Sequence, residues 1–283
     1  MPASAMTLAE FFRSEGIDLF ASVPTAALKI THARLAAEAG RATAAVFAAI
    51  PYAGGEGERT NLAAFARVRD YHAFARALAA GAAACVAARH PDAYAAGFAD
   101  HSPYDEVHGA ALAGLGVLGD NGLLITEPYS SFVFLFEFLT DLPADVLAAE
   151  GIPAGPMTLR FCEHCGRCAA ACPGRCIGGG RGSCLSAITQ KKGALTPEEE
   201  MALRAAPLVW GCDTCQNACP HTAAARAAGT IATRVPAFAD RLGILTAADV
   251  AAMSEEEWRA YAFGWRKKEV MLRNLALKGD TAP

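Results

Sequence analysis

Cys162-Glu163-His164-Cys165-Gly166-Arg167-Cys168-Ala169-Ala170-Ala171-Cys172-Pro173 spaces four cysteines as C-x2-C-x2-C-x3-C-P. This is the bacterial ferredoxin run for [4Fe–4S] clusters. Three closely spaced thiolates wrap a tight loop around one cubane. The fourth, followed by proline, is carried away and ligates a second cluster. A second block is therefore required, and Cys212-x2-Cys215-x3-Cys219-Pro220 supplies it. That block lacks one cysteine of the full run, and Cys184, between the blocks, makes up the count. By the crossover rule, Cys162, Cys165, Cys168 and Cys219 hold one cluster. Cys172, Cys184, Cys212 and Cys215 hold the other. Zinc also binds Cys-x2-Cys pairs, but it asks for two pairs rather than a three-plus-one run ending in Cys-Pro. Cys176 has no place in this count and is the alternative to Cys184 if the intervening loop folds differently. No Cys-x3-Cys-x2-Cys run supports the radical type of adenosylmethionine chemistry.

The surrounding chain has 283 residues, 53% hydrophobic and 19% charged, with a net charge of -4. This suffices for one large domain or two modest ones with a real core, and it excludes a disordered chain. The most apolar run, Leu123 to Leu139, carries Glu127, Pro128 and Glu137, so it makes a poor membrane span. No basic start followed by an apolar core marks a signal peptide. The cytoplasm is the expected compartment, where cysteines are unlikely to form disulfides. Cys85, alone in an alanine-rich helical stretch, reads as a small buried apolar residue.

Residues 7–20 read as a helix with Thr7 as N-cap and Gly16 near its end. Ala44 to Pro51 reads as a buried strand, Asn61 to Ala88 as a helix, and Tyr94 to Ala99 as a second strand. A helix from about Pro103 to Ala113 and an apolar run at Leu123 to Thr126 follow. Strands alternating with helices predict an α/β layer, within a chain that is α+β as a whole. Gly151 to Met157 holds two prolines and two glycines and reads as a boundary. The expected domains are 1–155 (α/β), 156–225 (the cysteine module) and 226–283 (helical, with a basic tail).

Charge is uneven. Residues 160–192 hold Arg160, Arg167, Arg175, Arg181, Lys191 and Lys192 against Glu163 alone, and residues 258–283 are similarly basic. This reads either as solvated surface or as a phosphate-facing patch. Gly114 to Gly119 matches G-x-G-x-x-G, but a dinucleotide fingerprint must follow a strand and open a helix. Here a helix precedes and a strand follows, so a simple turn explains it. Asp100 directly follows a probable strand. It reads as an N-cap for the next helix or as a general acid whose pKa burial raises. Asp70, Tyr71 and His72, inside a helical stretch, read as structural.

Collinear motifs then point to a family. Phe65 to His72 (FARVRDYH) is similar to a "YA-x-G-x-DYH" segment, and Asp100, Pro103 and Glu106 fit "D-[ST]-x-P-x-x-ER". Gly114-Leu115-Gly116 with Gly119-x-Asn121 fits "GLGWxGKN", and Ser130 to Pro143 resembles "GSWFFLGELLTDLP". Gly211-Cys212-Asp213-Thr214-Cys215-Gln216 with Cys219-Pro220 matches "GCDxCQxxCP", and Arg273-Asn274 resembles "LRN". The chain resembles epoxyqueuosine reductases. The resemblance implies an N-terminal cobalamin-binding domain like that of reductive dehalogenases, followed by a double [4Fe–4S] ferredoxin-like domain. It implies that the clusters reduce the corrin cobalt and that the epoxide of epoxyqueuosine in tRNA becomes an alkene. Asp100 is then the proton donor, and Asp100, Asn121 and Asp213 are the implied cobalamin contacts. The implied partners are tRNA and a low-potential electron donor such as flavodoxin or ferredoxin, with no membrane. The chain departs from the motifs at His101, Val107 (for arginine), Asp120 (for lysine), Ser130 and Phe132. Two other readings stay open. One is a cobalamin and iron–sulfur reductase of another substrate, and the other is a two-cluster electron carrier without corrin.

Overall fold

The computed structural model describes residues 6–55, 57–178 and 183–280. Arg181 lies outside them. Thr7 opens the first helix, α1 (Leu8–Ser14), through a reciprocal cap. Its hydroxyl accepts from the Glu10 amide at 3.2 Å, and the Glu10 carboxylate accepts from the Thr7 amide at 2.8 Å. The helix stops short of residue 20 because Gly16 takes a left-handed turn (φ 80°) against the Arg234 backbone, where a side chain would not fit. The strand β1 (Leu19–Pro24) follows where helix was expected.

Helix α2 (Ala33–Glu38) leads to β2 (Ala44–Pro51), which takes the bounds the apolar run predicts. Next come α3 (Tyr71–Arg89), β3 (Ala95–Phe98) and α4 (Glu106–Leu112). The short strands β4 (Val117–Leu118) and β5 (Leu124–Ile125) pair as a hairpin, and β6 (Val133–Thr140) completes the main sheet before α5 (Ala144–Ala149). The sheet order is β1-β2-β6-β3, with every pair antiparallel, a topology the helix–strand alternation does not reveal. Gly114 ends the turn after α4 and β4 follows, so the glycine motif is a helix-to-strand turn.

Side chains of the central strands alternate between two cores. Val46, Ala48, Ile50, Phe136 and Phe138 face α1 and α3. Ala45, Phe47, Ala49 and Leu139 face α4. Helix α4 lies so close that a side chain at Gly109 would strike the Phe47 ring. Helix α3 is the one described helix long and apolar enough to cross a membrane by length and composition. Here it buries Leu78, Ala82, Cys85 and Val86 in the first core.

The stretch 61–70 holds one 3-10 turn, Ala64–Ala66, and no α-helix. Asn61 ties its side chain to the Leu245 backbone in both directions (2.8 and 2.9 Å), and Ala63 N–H donates to Trp210 O at 2.9 Å. Helix α3 starts only where Asp70 caps it, accepting from His72 N–H at 3.1 Å.

The cysteine module carries α6 (Arg167–Ala171), α7 (Leu185–Thr189), α8 (Pro197–Ala205), α9 (Thr214–Asn217) and α10 (Pro220–Ala227). Helices α11 (Ala247–Ala252), α12 (Glu255–Arg259) and α13 (Lys268–Leu277) then build a third core around Trp210, Trp258, Phe263 and Met271. Asn274, fully buried on α13, donates to Thr189 O and Val209 O, both at 2.8 Å. It thereby clamps the cysteine module to the last helix. The segment after Gly151 runs along β1, where Ser22 exchanges hydrogen bonds with Pro153 and Gly155.

Candidate active site

The module's cysteines divide into two groups in space. Cys162, Cys165, Cys168 and Cys219 line one small cavity of about 20 Å³, together with Asp120, Asn121 and His221. The cavity is tethered to β4, because Leu118 N–H donates to Arg160 O and Cys162 N–H donates to Leu118 O. In the second group, Cys172 and Cys176 bring their sulfurs within 3.5 Å. Cys176 faces Cys184, and Cys215 faces both Cys212 and Cys184. Five sulfurs therefore converge where the count asks for four, and both Cys184 and Cys176 are among them. Asp120, where the family motif has lysine, bonds His164 Nδ1 at 2.7 Å. Asn121 bridges the groups: it lines the first cavity, and its amide nitrogen lies 4.0 Å from Cys215 Sγ.

Asp213, beside Cys212, is buried. Its carboxylate accepts from Ala64 N–H at 2.7 Å and from Gln216 Nε2 at 3.3 Å. Burial pushes its pKa up to about 6, against the pull of Arg226, Arg241 and Arg67. Gln216 in turn accepts from the Ser131 and Tyr52 hydroxyls. Asp213 lines a cleft of about 470 Å³ with Gly54, Gly55, Arg67, Thr214 and Asn217. Arg226 lines this cleft as well, and Arg241 lies behind it, its Nε 3.4 Å from the Glu58 carboxylate.

Asp100 stands at a separate cleft of about 190 Å³, lined by Tyr71, Glu106, Leu123, Ser131 and Phe134 among others. It does not cap α4. Asp105 does, accepting from His108 N–H at 3.1 Å. Asp100 instead adopts a left-handed backbone (φ 61°), a costly conformation for a residue with a Cβ. Two groups hold its carboxyl: Tyr71 donates its hydroxyl to Oδ2, and His72 Nε2 lies 3.4 Å from the same oxygen. The other ring nitrogen of His72 bonds Asp70 at 2.8 Å. Asp70, Tyr71 and His72, read from sequence as structural, thus converge on Asp100 from the start of α3. Partial desolvation, and then the Asp70 charge, push the Asp100 pKa up. Glu106 accepts from the Asp100 amide with both oxygens, at 3.0 and 3.2 Å, and burial pushes its pKa up to about 8. The only sign of Tyr71 and His72 in the sequence was the DYH segment of the family motif.

Residues 161–222 match the family model described as a 4Fe-4S double cluster binding domain. An epoxyqueuosine reductase of Gloeobacter violaceus is 30% identical over 244 residues, covering 83% of this chain and 74% of the relative. One from Listeria monocytogenes is 35% identical over 156 residues, covering 54% of this chain and only 38% of the relative. The solved structure of an epoxyqueuosine reductase with an epoxyqueuosine-modified tyrosine tRNA stem loop superposes with a TM-score of 0.75. It covers 96% of this chain and 79% of that one, at 20% identity. The fold is therefore shared nearly end to end on this side.

Proposed function

The chain belongs to the epoxyqueuosine reductase family, and on that premise we propose that it reduces the epoxide of epoxyqueuosine in tRNA to the alkene of queuosine. One observation carries the reading: sulfur groups and proton donor meet through a single hairpin. Asn121 contacts Cys215, and Leu123 and Leu124, directly beyond it, line the Asp100 cleft. In this reading residues 1–155 form the cofactor and substrate domain, 156–225 the double-cluster domain and 226–283 a helical tail.

Eight thiolates suit two [4Fe–4S] clusters by donor chemistry: Cys162, Cys165, Cys168 and Cys219 for one, and Cys172, Cys184, Cys212 and Cys215 for the other. The guanidinium groups of Arg67 and Arg226 in the lining of the larger cleft suit cobalamin, which carries a phosphodiester. Asp213, Asn121 and Asp100 are the residues assigned to hold it. When bound, the cobalamin supplies the two electrons that, with two protons, turn the epoxide into alkene and water. Asp100 holds one of those protons. Tyr71 and His72 aim its carboxyl, and its raised pKa keeps the acid form available. The partners in this reading are tRNA and a low-potential donor such as flavodoxin or ferredoxin, in the cytoplasm.

One observation favours a second reading with the same cofactors and another substrate. Val107 lines the Asp100 cleft where the motif has arginine, and no lysine or arginine lines that cleft among the described residues. Anaerobic reconstitution with iron, sulfide and cobalamin, followed by reaction with epoxyqueuosine-containing tRNA, separates the readings. About eight irons, retained cobalamin and queuosine in the digested tRNA are expected. Retained cobalamin without queuosine favours the other substrate. Iron without cobalamin leaves only an electron carrier.

A further inference from the structure

Behind Asp100 the fold buries a second acid that the proposed reaction does not use. Glu137 lies on β6 in the slot between Leu135 and Leu139 on the α4 side of the sheet. It is paired in register with Phe47 of β2 and Phe98 of β3. It is fully buried, and neither carboxyl oxygen makes a hydrogen bond among the described residues. The polar groups that face it are Ser102, Glu106 and Tyr104. Glu106 itself faces Asp100, Asp105 and Ser102. An ionised carboxylate left without donors in such a place is costly, and two adjacent ones are costlier.

Ser102 indicates where a proton goes. Its hydroxyl has one hydrogen, and that hydrogen is donated to the Tyr104 carbonyl at 2.8 Å. Toward the two glutamates its oxygen can only accept. A carboxyl group that meets it must therefore carry the proton. Of the two acids, Glu106 is the one already engaged elsewhere, since both its oxygens accept from the Asp100 amide.

We propose that Glu106 is a positioning residue for Asp100, its two oxygens accepting from the Asp100 amide, and that Glu137 behind it keeps a proton at neutral pH. That contact holds the left-handed backbone of Asp100 and so holds its side chain between Tyr71 and His72. The inference builds on the proposed role of Asp100. Its test needs neither substrate nor cobalamin, so its failure is distinct from failure of the functional reading.

The test uses the full chain, purified anaerobically. The infrared difference between wild type and Glu137→Gln at neutral pH is expected to contain a protonated-carboxyl stretch. Asp100→Asn is expected to leave that band in place. Hydrogen exchange at the Asp100 amide is expected to speed up on the order of tenfold in Glu106→Gln, which leaves one acceptor oxygen in place of two. A carboxylate signature in place of the acid band would show Glu137 ionised and overturn the proposal. Unchanged exchange at Asp100 in a folded Glu106→Gln chain would overturn the positioning role.

Discussion

Tyr71 donates its phenolic hydroxyl to the Asp100 carboxylate, so the first residue of α3 is tied to the second residue after β3. Helix α3 packs on the sheet to which β3 belongs, and the bond sits at their adjoining ends. It gives Asp100 an orientation that its exposed, left-handed position would not otherwise keep.

Tyr71→Phe removes that donor and spares the fold. Turnover is expected to fall about tenfold, against roughly 10²- to 10⁴-fold for Asp100→Asn, the usual range for a general acid. Iron content stays unchanged in both. Rate assays with iron analysis check this, and a Tyr71→Phe rate equal to wild type removes the tyrosine from the mechanism.

The cavity shared by Cys162 and Cys219 makes their losses redundant. Cys162→Ser and Cys219→Ser each cost about four irons, and the double variant still costs about four. Cys215→Ser combined with Cys219→Ser costs about eight. Iron and sulfide counts decide it, since any other pairing of the blocks gives a different sum.

Asn274→Ala leaves the carbonyls of Thr189 and Val209 buried without their donor. The expected destabilisation is roughly 2–4 kcal/mol. Urea denaturation of the cluster-loaded chain measures it, and a change near zero means that water replaces the amide at no cost.

Glu106 and Glu137 both have pKa values raised to about 8, mainly by burial. Between the ordinary glutamate range and that value, the folded chain binds more protons than the unfolded one. Stability is therefore greatest on the acid side and falls as pH rises through the window. Glu137→Gln removes one of the two groups and flattens the decline. Urea midpoints collected across the window show it, and parallel profiles for variant and wild type contradict it.

The double-cluster module was legible because ferredoxin spacing is a local geometric code, and its first run, Cys162 to Pro173, is complete within a dozen residues. Strand β6 was not. Its run Val133 to Thr140 is buried on both faces, so apolar and polar residues do not alternate, and Glu137 interrupts it as a charge would interrupt a loop. Asn61 to Asp70 misled in the other direction. Leu62 and Phe65 have helical spacing, yet the backbone there pairs with Trp210, and the Asn61 side chain locks it to a segment far along the chain. Tyr71 and His72 looked structural because their partner, Asp100, lies 29 residues beyond Tyr71, and only the fold brings them together.

The first sulfur cavity has a mechanical consequence. Cys162 and Cys219 bracket nearly the whole module, so in the proposed ligand assignment a metal core gripping both would act as a covalent staple across a loop of roughly sixty residues. Closing a loop of that length removes on the order of 4 kcal/mol of disorder from the unfolded chain. Oxygen damage to that core would then loosen the scaffold as well as cut the current, and the molecule's lifetime would track iron supply.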